Sequence, residues 1–203
     1  VNALYRAKGV VTAQAVIPPQ DVSDGIVRVG LIEGRMGKVS VAGNESTSES
    51  YTKWRLGQEP GRLVDLKALE RELVWFNRTT DAQLRAELKA GESFGTTDLN
   101  LTLIEPLRHD LRLFADNAGS KSTGVQRQGI SYINRSLLGF RDDLALSANR
   151  SDGHEGYAVS YGVPFNRWGG RANFAYYKDS TEVRHGALAA LDITGESRAQ
   201  ILS

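Results

Sequence analysis

The hydrophobic pattern of the chain changes at Glu105-Pro106 and stays changed. Before this point, short alternating apolar runs lie between segments with helical spacing, and this arrangement occurs about twice. After it, almost every segment alternates large apolar residues with small or polar ones, and the connecting stretches are polar or glycine-rich. A repeated α/β unit that leads into successive β-hairpins predicts soluble docking domains joined to a β-barrel.

Composition narrows the functional classes. The chain has 203 residues, with 25 basic and 24 acidic side chains, and its net charge of +1 gives no reason to expect nucleic acid binding. It has no cysteine, so disulfides, thiolate zinc sites and cysteine nucleophiles are excluded. No stretch approaches the roughly 18 consecutive apolar residues of a transmembrane helix. Barrel strands have only a weak hydropathy signal, so a membrane location stays open.

The first copy of the repeat occupies the start of the chain. A helical segment is predicted to end at Gly9, and a strand then runs from Val10 to Ile17 until Pro18-Pro19 ends it. A second strand follows an Asp-Gly turn and carries three alternating apolar residues: Val27, Val29 and Leu31. The chain begins like the middle of a helix and ends like the middle of a strand, so we expect a piece of a longer protein.

The second copy predicts the order β-α-α-β-β. Its first strand is centred near Val39, and a short helix around Trp54 is predicted to end near Gly57. A longer helix has Asp65 as its N-cap, is predicted to end at Asn77, and presents an apolar stripe of Leu66, Leu69, Leu73 and Phe76. Two alternating strands complete the unit: residues 82–88 and 99–103. A small sheet covered by two helices is the economical way to bury these residues.

The second half predicts antiparallel strands that cross a membrane. The clearest strand places large residues on one side, namely Tyr157, Val159, Tyr161, Val163 and Phe165. Small residues occupy its other side: Ala158, Ser160 and Gly162. Large apolar residues facing outward and small or polar residues facing inward are typical of a lipid-exposed barrel strand. The strands are about nine to eleven residues long, as a tilted membrane strand requires, and five or six of them are predicted.

Residues that could carry enzymatic chemistry are dispersed. His109, His154 and His185 lie in separate hairpins without the spacing of metal ligands. Asp142-Asp143 point to opposite faces of a strand and are predicted to form a solvated turn rather than a carboxylate pair. Three large aromatic residues are predicted to be core: Trp54, Trp75 and Phe76. We therefore expect no catalytic site, no metal, no cofactor and no enzymatic activity.

These features together resemble the outer-membrane transporters of two-partner secretion, the haemolysin-activator and filamentous-haemagglutinin type. Residues 1–34 resemble the end of a first POTRA domain, and residues 35–106 resemble a complete second one. Residues 107–203 resemble the first strands of the family's barrel, including the hairpin at 116–124 and the turn at 137–142. The resemblance implies an α+β POTRA fold of order β-α-α-β-β followed by antiparallel strands of a transmembrane β-barrel.

The family's biology then sets the functional expectation. The complete protein would have a plug helix, two periplasmic POTRA domains and a barrel of about sixteen strands, within the range of bacterial barrels. A single chain would form the pore in the outer membrane of a Gram-negative bacterium. It would export an unfolded partner exoprotein without ATP and would contact lipid but no nucleic acid. The family's arginine motif on an inward-folded loop is expected beyond Ser203.

Addition of a strand to the edge of the second POTRA sheet is the expected mode of partner capture. The candidate edge is Ala82–Lys89, where Gln83, Arg85 and Glu87 should face away from the core. Two residues of the adjacent helix would form the groove wall: Leu66 and Leu73. A proline at Arg85 is the test that the sequence suggests. Three inward-facing residues are candidates for lining the conduit: Arg112, Arg171 and Asn173.

Two other interpretations are compatible with the sequence. A barrel-assembly factor of the same superfamily would carry more POTRA copies upstream. A soluble β-rich binding module, or an outer-membrane enzyme, would fold without detergent or carry a catalytic site in another part of the protein.

Overall fold

A computed structural model of the chain describes residues 14–23, 25–32 and 34–203. It divides into two units between Glu105 and Pro106, and the short segment Arg167–Gly169 groups with the first unit. The helical end predicted at Gly9 and most of the strand predicted to follow it lie outside the described residues. Among the described residues, no helix combines the length and apolarity needed to cross a membrane.

The first unit starts with a short antiparallel pair, β1 (Gln14–Val16) and β2 (Gly30–Ile32). The sequence prediction that Val27 and Val29 belong to the second strand is wrong, because both lie outside the ladder and are 58% and 48% exposed. The backbone groups of Arg28, which lies between these two valines, bond to a side chain rather than to a strand. Gln20 Nε2 donates to the carbonyl of Arg28 at 2.8 Å, and Gln20 Oε1 accepts from its N–H at 2.7 Å.

The rest of the first unit has the predicted order β-α-α-β-β. Its elements are β3 (Arg35–Ala42), α1 (Glu49–Leu56), α2 (Leu66–Thr79), β4 (Gln83–Ala90) and β5 (Thr96–Ile104). The sheet order is β3-β5-β4, with β3 parallel and β4 antiparallel to the central strand β5. This order is the one expected of a POTRA-type module, and we refer to residues 35–105 as the POTRA module.

Local signals in the sequence position both helices. Ser48 and Asp65 cap them by accepting hydrogen bonds from the N–H groups of Tyr51 and Ala68. Gly57 ends α1 with a left-handed φ of 59°, which glycine adopts without strain. The predicted end of α2 at Asn77 is wrong by two residues. The helix continues because the Asn77 amide bonds to β4 and leaves the helical backbone intact.

The core of the POTRA module forms where both helices cover one face of the sheet. Its buried apolar residues are Met36, Val39, Tyr51, Leu56, Val64, Leu69, Phe76, Ala82, Leu84, Leu99, Leu101 and Leu103. The prediction that Trp54 and Trp75 are core residues is wrong, since they are 46% and 43% exposed. Arg55, by contrast, is buried. Its guanidinium donates to the hydroxyl of Tyr51 at 3.1 Å and lies 5.4 Å from the centroid of the Phe76 ring.

The second unit is a six-stranded antiparallel sheet in which each strand pairs with the next along the chain. The strands are β6 (His109–Asp116), β7 (Arg127–Asn134), β8 (Asp143–Ser151), β9 (His154–Pro164), β10 (Arg171–Glu182) and β11 (Thr194–Leu202). Their number agrees with the prediction of five or six. β8 and β9 are joined by only Asp152-Gly153, and β10 extends through Glu182.

The strand register places two chemically different sets of side chains on the two faces of this sheet. One face is apolar and includes Leu111, Leu113, Ile130, Tyr132, Leu144, Leu146, Tyr157, Val159, Phe174 and Tyr176. The opposite face is rich in small and polar residues, including Ser131, Ala145, Ser147, Gly156, Ala158, Ser160, Gly162, Asn173 and Ala175. This alternation is typical of a barrel with a lipid-facing exterior and a polar interior.

Leu101 on β5 lies in the POTRA core and is 1% exposed, which allows a prediction about stability. We expect Leu101→Ala to reduce the local free energy of unfolding by roughly 2–5 kcal/mol, because it removes buried contacts and leaves a cavity. The measurement is amide hydrogen exchange of β4 and β5 in the complete protein. Ile104→Ala, at a 44% exposed position on the same strand, is the matched control. Equal exchange in both variants would contradict the core assignment.

Candidate partner-binding site

The outer edge of β4 is the side of the strand that faces away from β5. Among the described residues, β4 pairs with β5 and with no other strand. At Leu84, the outer edge is occupied by a side chain of α2. Asn77 Oδ1 accepts from the N–H of Leu84 at 2.7 Å, and Asn77 Nδ2 donates to its carbonyl at 3.0 Å.

This contact determines which backbone groups of β4 face outward. In an antiparallel pair, the N–H and C=O of one residue point to the same side, and successive residues alternate. Since the groups of Leu84 point to Asn77, those of Ala86 and Leu88 also point to the outer edge. Those of Gln83, Arg85 and Glu87 point to β5, in agreement with the hydrogen bond from Gly91 N–H to the Thr96 carbonyl at 3.0 Å. Within the described residues, no hydrogen bond occupies the outward groups of Ala86 or Leu88.

A groove runs beside this edge, between α2 and β4. It has a volume of about 330 Å³ and is lined by Leu66, Leu69, Glu70, Leu73, Val74, Asn77 and Ala86. Leu66 and Leu73 are half-buried, and Val74 is 45% exposed, so the helix presents apolar surface directly next to unpaired backbone. We call this feature the α2–β4 groove.

The structure separates the roles of the three residues proposed from sequence. The side chains of Gln83, Arg85 and Glu87 are exposed on the face of the sheet away from the helices, and Glu87 pairs with Lys89 at 3.1 Å. Their backbone groups, however, belong to the module's own sheet. The sequence-based choice of proline at Arg85 is therefore wrong as a test of edge binding, because it would break the ladder with β5.

The three residues predicted to line the conduit share the polar face of the second unit. Arg112 is 71% exposed and pairs with Asp110 at 2.9 Å. Arg171 pairs with the carboxylate of Asp143 and also donates to the carbonyl of Arg141 at 2.9 Å. Asn173 lies above Gly162, where a Cβ atom would come within 2.7 Å of its Oδ1. The small residue at 162 thus leaves room for this polar cluster.

The turn between β7 and β8 differs from the sequence prediction. The sequence predicts a solvated turn residue at Asp142, but this residue is completely buried. Its carboxylate accepts from the N–H groups of Leu138 at 2.9 Å and Phe140 at 3.1 Å, and from the hydroxyl of Tyr161 at 2.9 Å. Burial of this carboxylate is possible because three donors surround it. Asp142 therefore organises the turn and links it to β9.

The histidines make separate local contacts. His109 Nδ1 lies 2.8 Å from the Tyr132 hydroxyl, and His185 Nε2 lies 2.5 Å from Asp152 Oδ2. His154 contacts a strand neighbour, with its Nε2 atom 3.0 Å from Asn149 Oδ1. No group of three or more histidine, aspartate or glutamate residues in the described part of the chain could hold a metal ion.

Comparison with known proteins places these features in a family. Residues 95–203 match the family described as haemolysin secretion/activation protein ShlB/FhaC/HecB, and residues 1–34 match the ShlB-type POTRA domain. The outer membrane transporter CdiB of Dickeya dadantii strain 3937 is 27% identical over 174 residues, 83% of this chain and 31% of CdiB. The heme/hemopexin transporter protein HuxB of Haemophilus influenzae strain 86-028NP is 24% identical over 187 residues, 88% of this chain and 33% of HuxB. The chain thus spans about a third of the length of these relatives.

Solved structures share the fold. CdiB from Escherichia coli superposes with a TM-score of 0.59 at 20% identity, covering 99% of this chain and 38% of that one. BamA from Haemophilus ducreyi, lacking POTRA domains 1–3, also gives a TM-score of 0.59, at 16% identity, covering 95% of this chain and 37% of that one. The chain therefore shares its fold with CdiB and BamA.

The buried carboxylate of Asp142 leads to a testable expectation. Asp142→Ala should lower the free energy of unfolding of the complete protein by roughly 2–3 kcal/mol, because three donors lose a charged acceptor. Tyr161→Phe removes only one of these bonds and should cost about 1 kcal/mol. The measurement is thermal unfolding of the purified protein in detergent. Wild-type stability of Asp142→Ala would show that the turn does not depend on this carboxylate.

Proposed function

Because the chain belongs to the ShlB/FhaC/HecB family of haemolysin secretion/activation proteins, we propose that the complete protein is an outer-membrane transporter of two-partner secretion. It captures an unfolded partner exoprotein in the periplasm of a Gram-negative bacterium and exports it to the cell surface without ATP. The observation that carries this proposal is the combination of a POTRA sheet with an accessible edge and a strand sheet with one apolar and one polar face.

The two faces of the second unit support a conduit through the membrane. The apolar face would contact outer-membrane lipid, and the polar face would line a pore formed by a single chain. Arg112, Arg171 and Asn173 would then face the passage. The names of the relatives, outer membrane transporter CdiB and heme/hemopexin transporter protein HuxB, support a transport role rather than an enzymatic one.

The β4 edge supports a specific mode of capture. An extended segment can add to an exposed strand through backbone hydrogen bonds, which tolerate many sequences, while neighbouring side chains select among them. The outward groups of Ala86 and Leu88 supply the donors and acceptors. The apolar wall formed by Leu66 and Leu73 supplies a surface that an unfolded chain can cover. Gln83, Arg85 and Glu87 contribute exposed side chains on the opposite face.

Two alternatives are less well supported. A barrel-assembly factor would share the fold, as BamA does, but the sequence matches the secretion family over residues 95–203. A soluble binding module would not need a continuous apolar face on its sheet, where Leu111 and Leu113 are 61% and 74% exposed.

Partner capture at the β4 edge is tested by a proline substitution at a residue whose backbone N–H points to the outer edge. Ala86→Pro removes one outward N–H without removing a bond to β5, so the module should stay folded. We expect secretion of the partner to fall by roughly tenfold or more, since a bound strand would lose hydrogen bonds and meet the proline ring. The measurement is the amount of partner protein released by cells, normalised to transporter in the outer membrane.

Arg85→Pro is the matched comparison for this experiment. It lies one residue away but should destabilise the POTRA module, which protease sensitivity would reveal. Normal secretion by a folded, correctly inserted Ala86→Pro variant would exclude capture at this edge.

Conduit lining is tested independently at Arg112. In planar bilayers containing the complete transporter, Arg112→Glu should shift ion selectivity toward cations, because it reverses a charge on the proposed pore surface. Arg198→Glu makes the same charge change on the opposite face of the sheet and should have a smaller effect. Equal effects of the two substitutions would contradict the assignment of the faces.

A further inference from the structure

The amide of Asn77 imitates one residue of an added strand. Its carbonyl oxygen accepts from the Leu84 N–H at 2.7 Å, and its amino group donates to the Leu84 carbonyl at 3.0 Å. These are the same two bonds that a residue on a neighbouring antiparallel strand would make with Leu84. We propose that Asn77 closes the outer edge of β4 at Leu84 and thereby sets the register in which a partner strand binds.

This proposal rests on strand addition at the β4 edge and specifies how it occurs. Residues whose backbone groups point to the outer edge recur at every second position, so the next sites after Leu84 are Ala86, Leu88 and Ala90. An incoming segment therefore pairs along 86–90, about five residues. Sliding by two residues toward Gln83 would require the two Asn77 bonds to break.

The register also determines what the incoming side chains meet. Alternate side chains on the helical side of the new strand would enter the α2–β4 groove, whose wall includes Leu66, Leu73 and Val74. Those on the other side would lie next to the charged pair of Glu87 and Lys89. The preferred partner segment is therefore extended and short, with apolar residues at every second position and polar residues between them.

The same pair of hydrogen bonds occurs elsewhere in the chain. Gln20 makes the matching pair of bonds to Arg28, at 2.8 and 2.7 Å, and Arg28 is not part of a strand ladder. A carboxamide can thus occupy both backbone groups of one residue, which leaves neither group for a neighbouring strand. The second example involves different residues and a different segment, so it is independent of the POTRA groove.

Register can be measured by disulfide mapping, because this chain has no cysteine. Single cysteines would be introduced at Gln83, Glu87 and Lys89 in the complete transporter, with any other cysteines replaced. The probe is a nine-residue synthetic peptide of alternating valine and threonine with one central cysteine in place of a threonine. Disulfide yield at each position reports where the peptide lies along β4.

With Asn77 present, we expect the peptide to crosslink at Glu87 or Lys89 and weakly at Gln83. In Asn77→Ala, the ratio of crosslinking at Gln83 to that at Glu87 should rise by roughly tenfold, since two competing hydrogen bonds are lost. Asn77→Asp keeps the acceptor for the Leu84 N–H and should give an intermediate ratio. Arg78→Ala removes the adjacent exposed side chain and should leave the ratio unchanged.

The outcomes separate this proposal from the proposed function. An unchanged ratio in a folded Asn77→Ala variant, with strong crosslinking in the wild type, would overturn the role of Asn77 and leave edge capture intact. Absence of crosslinking at every position in the wild type would overturn both. Amide exchange of β4 and β5 checks that the Asn77→Ala module is folded, so a shifted ratio cannot arise from unfolding of the sheet.

Discussion

A strand carries backbone N–H and C=O groups whose burial without a hydrogen-bond partner costs about 1–3 kcal/mol for each group. In the second unit, each strand from β6 to β11 pairs with the next one in the chain, so among the described residues only the outer sides of β6 and β11 lack a neighbouring strand. In the POTRA module, the order β3-β5-β4 leaves one side of β4 without a neighbouring strand among the described residues. The same physical requirement thus builds the sheet proposed to cross the membrane and creates the edge proposed to capture the partner.

Side-chain size supplies the second constraint, because close approach across the polar face requires residues without a Cβ atom. Phe114 lies over Gly129, where a Cβ atom would come within 2.4 Å of the ring. The cluster of Arg171, Asn173 and Asp143 lies over Gly162 in the same way, with the nearest contact at 2.7 Å. These glycines are positions where a large side chain from a neighbouring strand folds across the face. They give the polar face local clusters separated by small residues, rather than a uniform lining.

The sequence predicts an element correctly where one repeating pattern of residues determines it. The apolar stripe of α2, its cap at Asp65 and the alternation on β9 are local signals, and each corresponds to an element of the structure. The prediction fails where a side chain bonds to a distant or unexpected partner. Asp142 looks like a solvated turn residue until the hydroxyl of Tyr161 and two backbone donors converge on it. Trp54 is large and aromatic and therefore looks like a core residue, but its position on the exposed side of α1 leaves nearly half of it accessible.

The sequence by itself determined the succession of modules, the periods of their strands and helices, and the family resemblance. Those properties depend on neighbours a few residues apart, which share a helix face or alternate along a strand. Only the tertiary structure decided which side of β4 is accessible, since the direction of its backbone groups follows from the contact between Asn77 and Leu84 and from the pairing with β5. Alternation alone identifies the side chains that face away from the core, those of Gln83, Arg85 and Glu87. Their backbone groups point to β5, and that distinction requires the register of two paired strands.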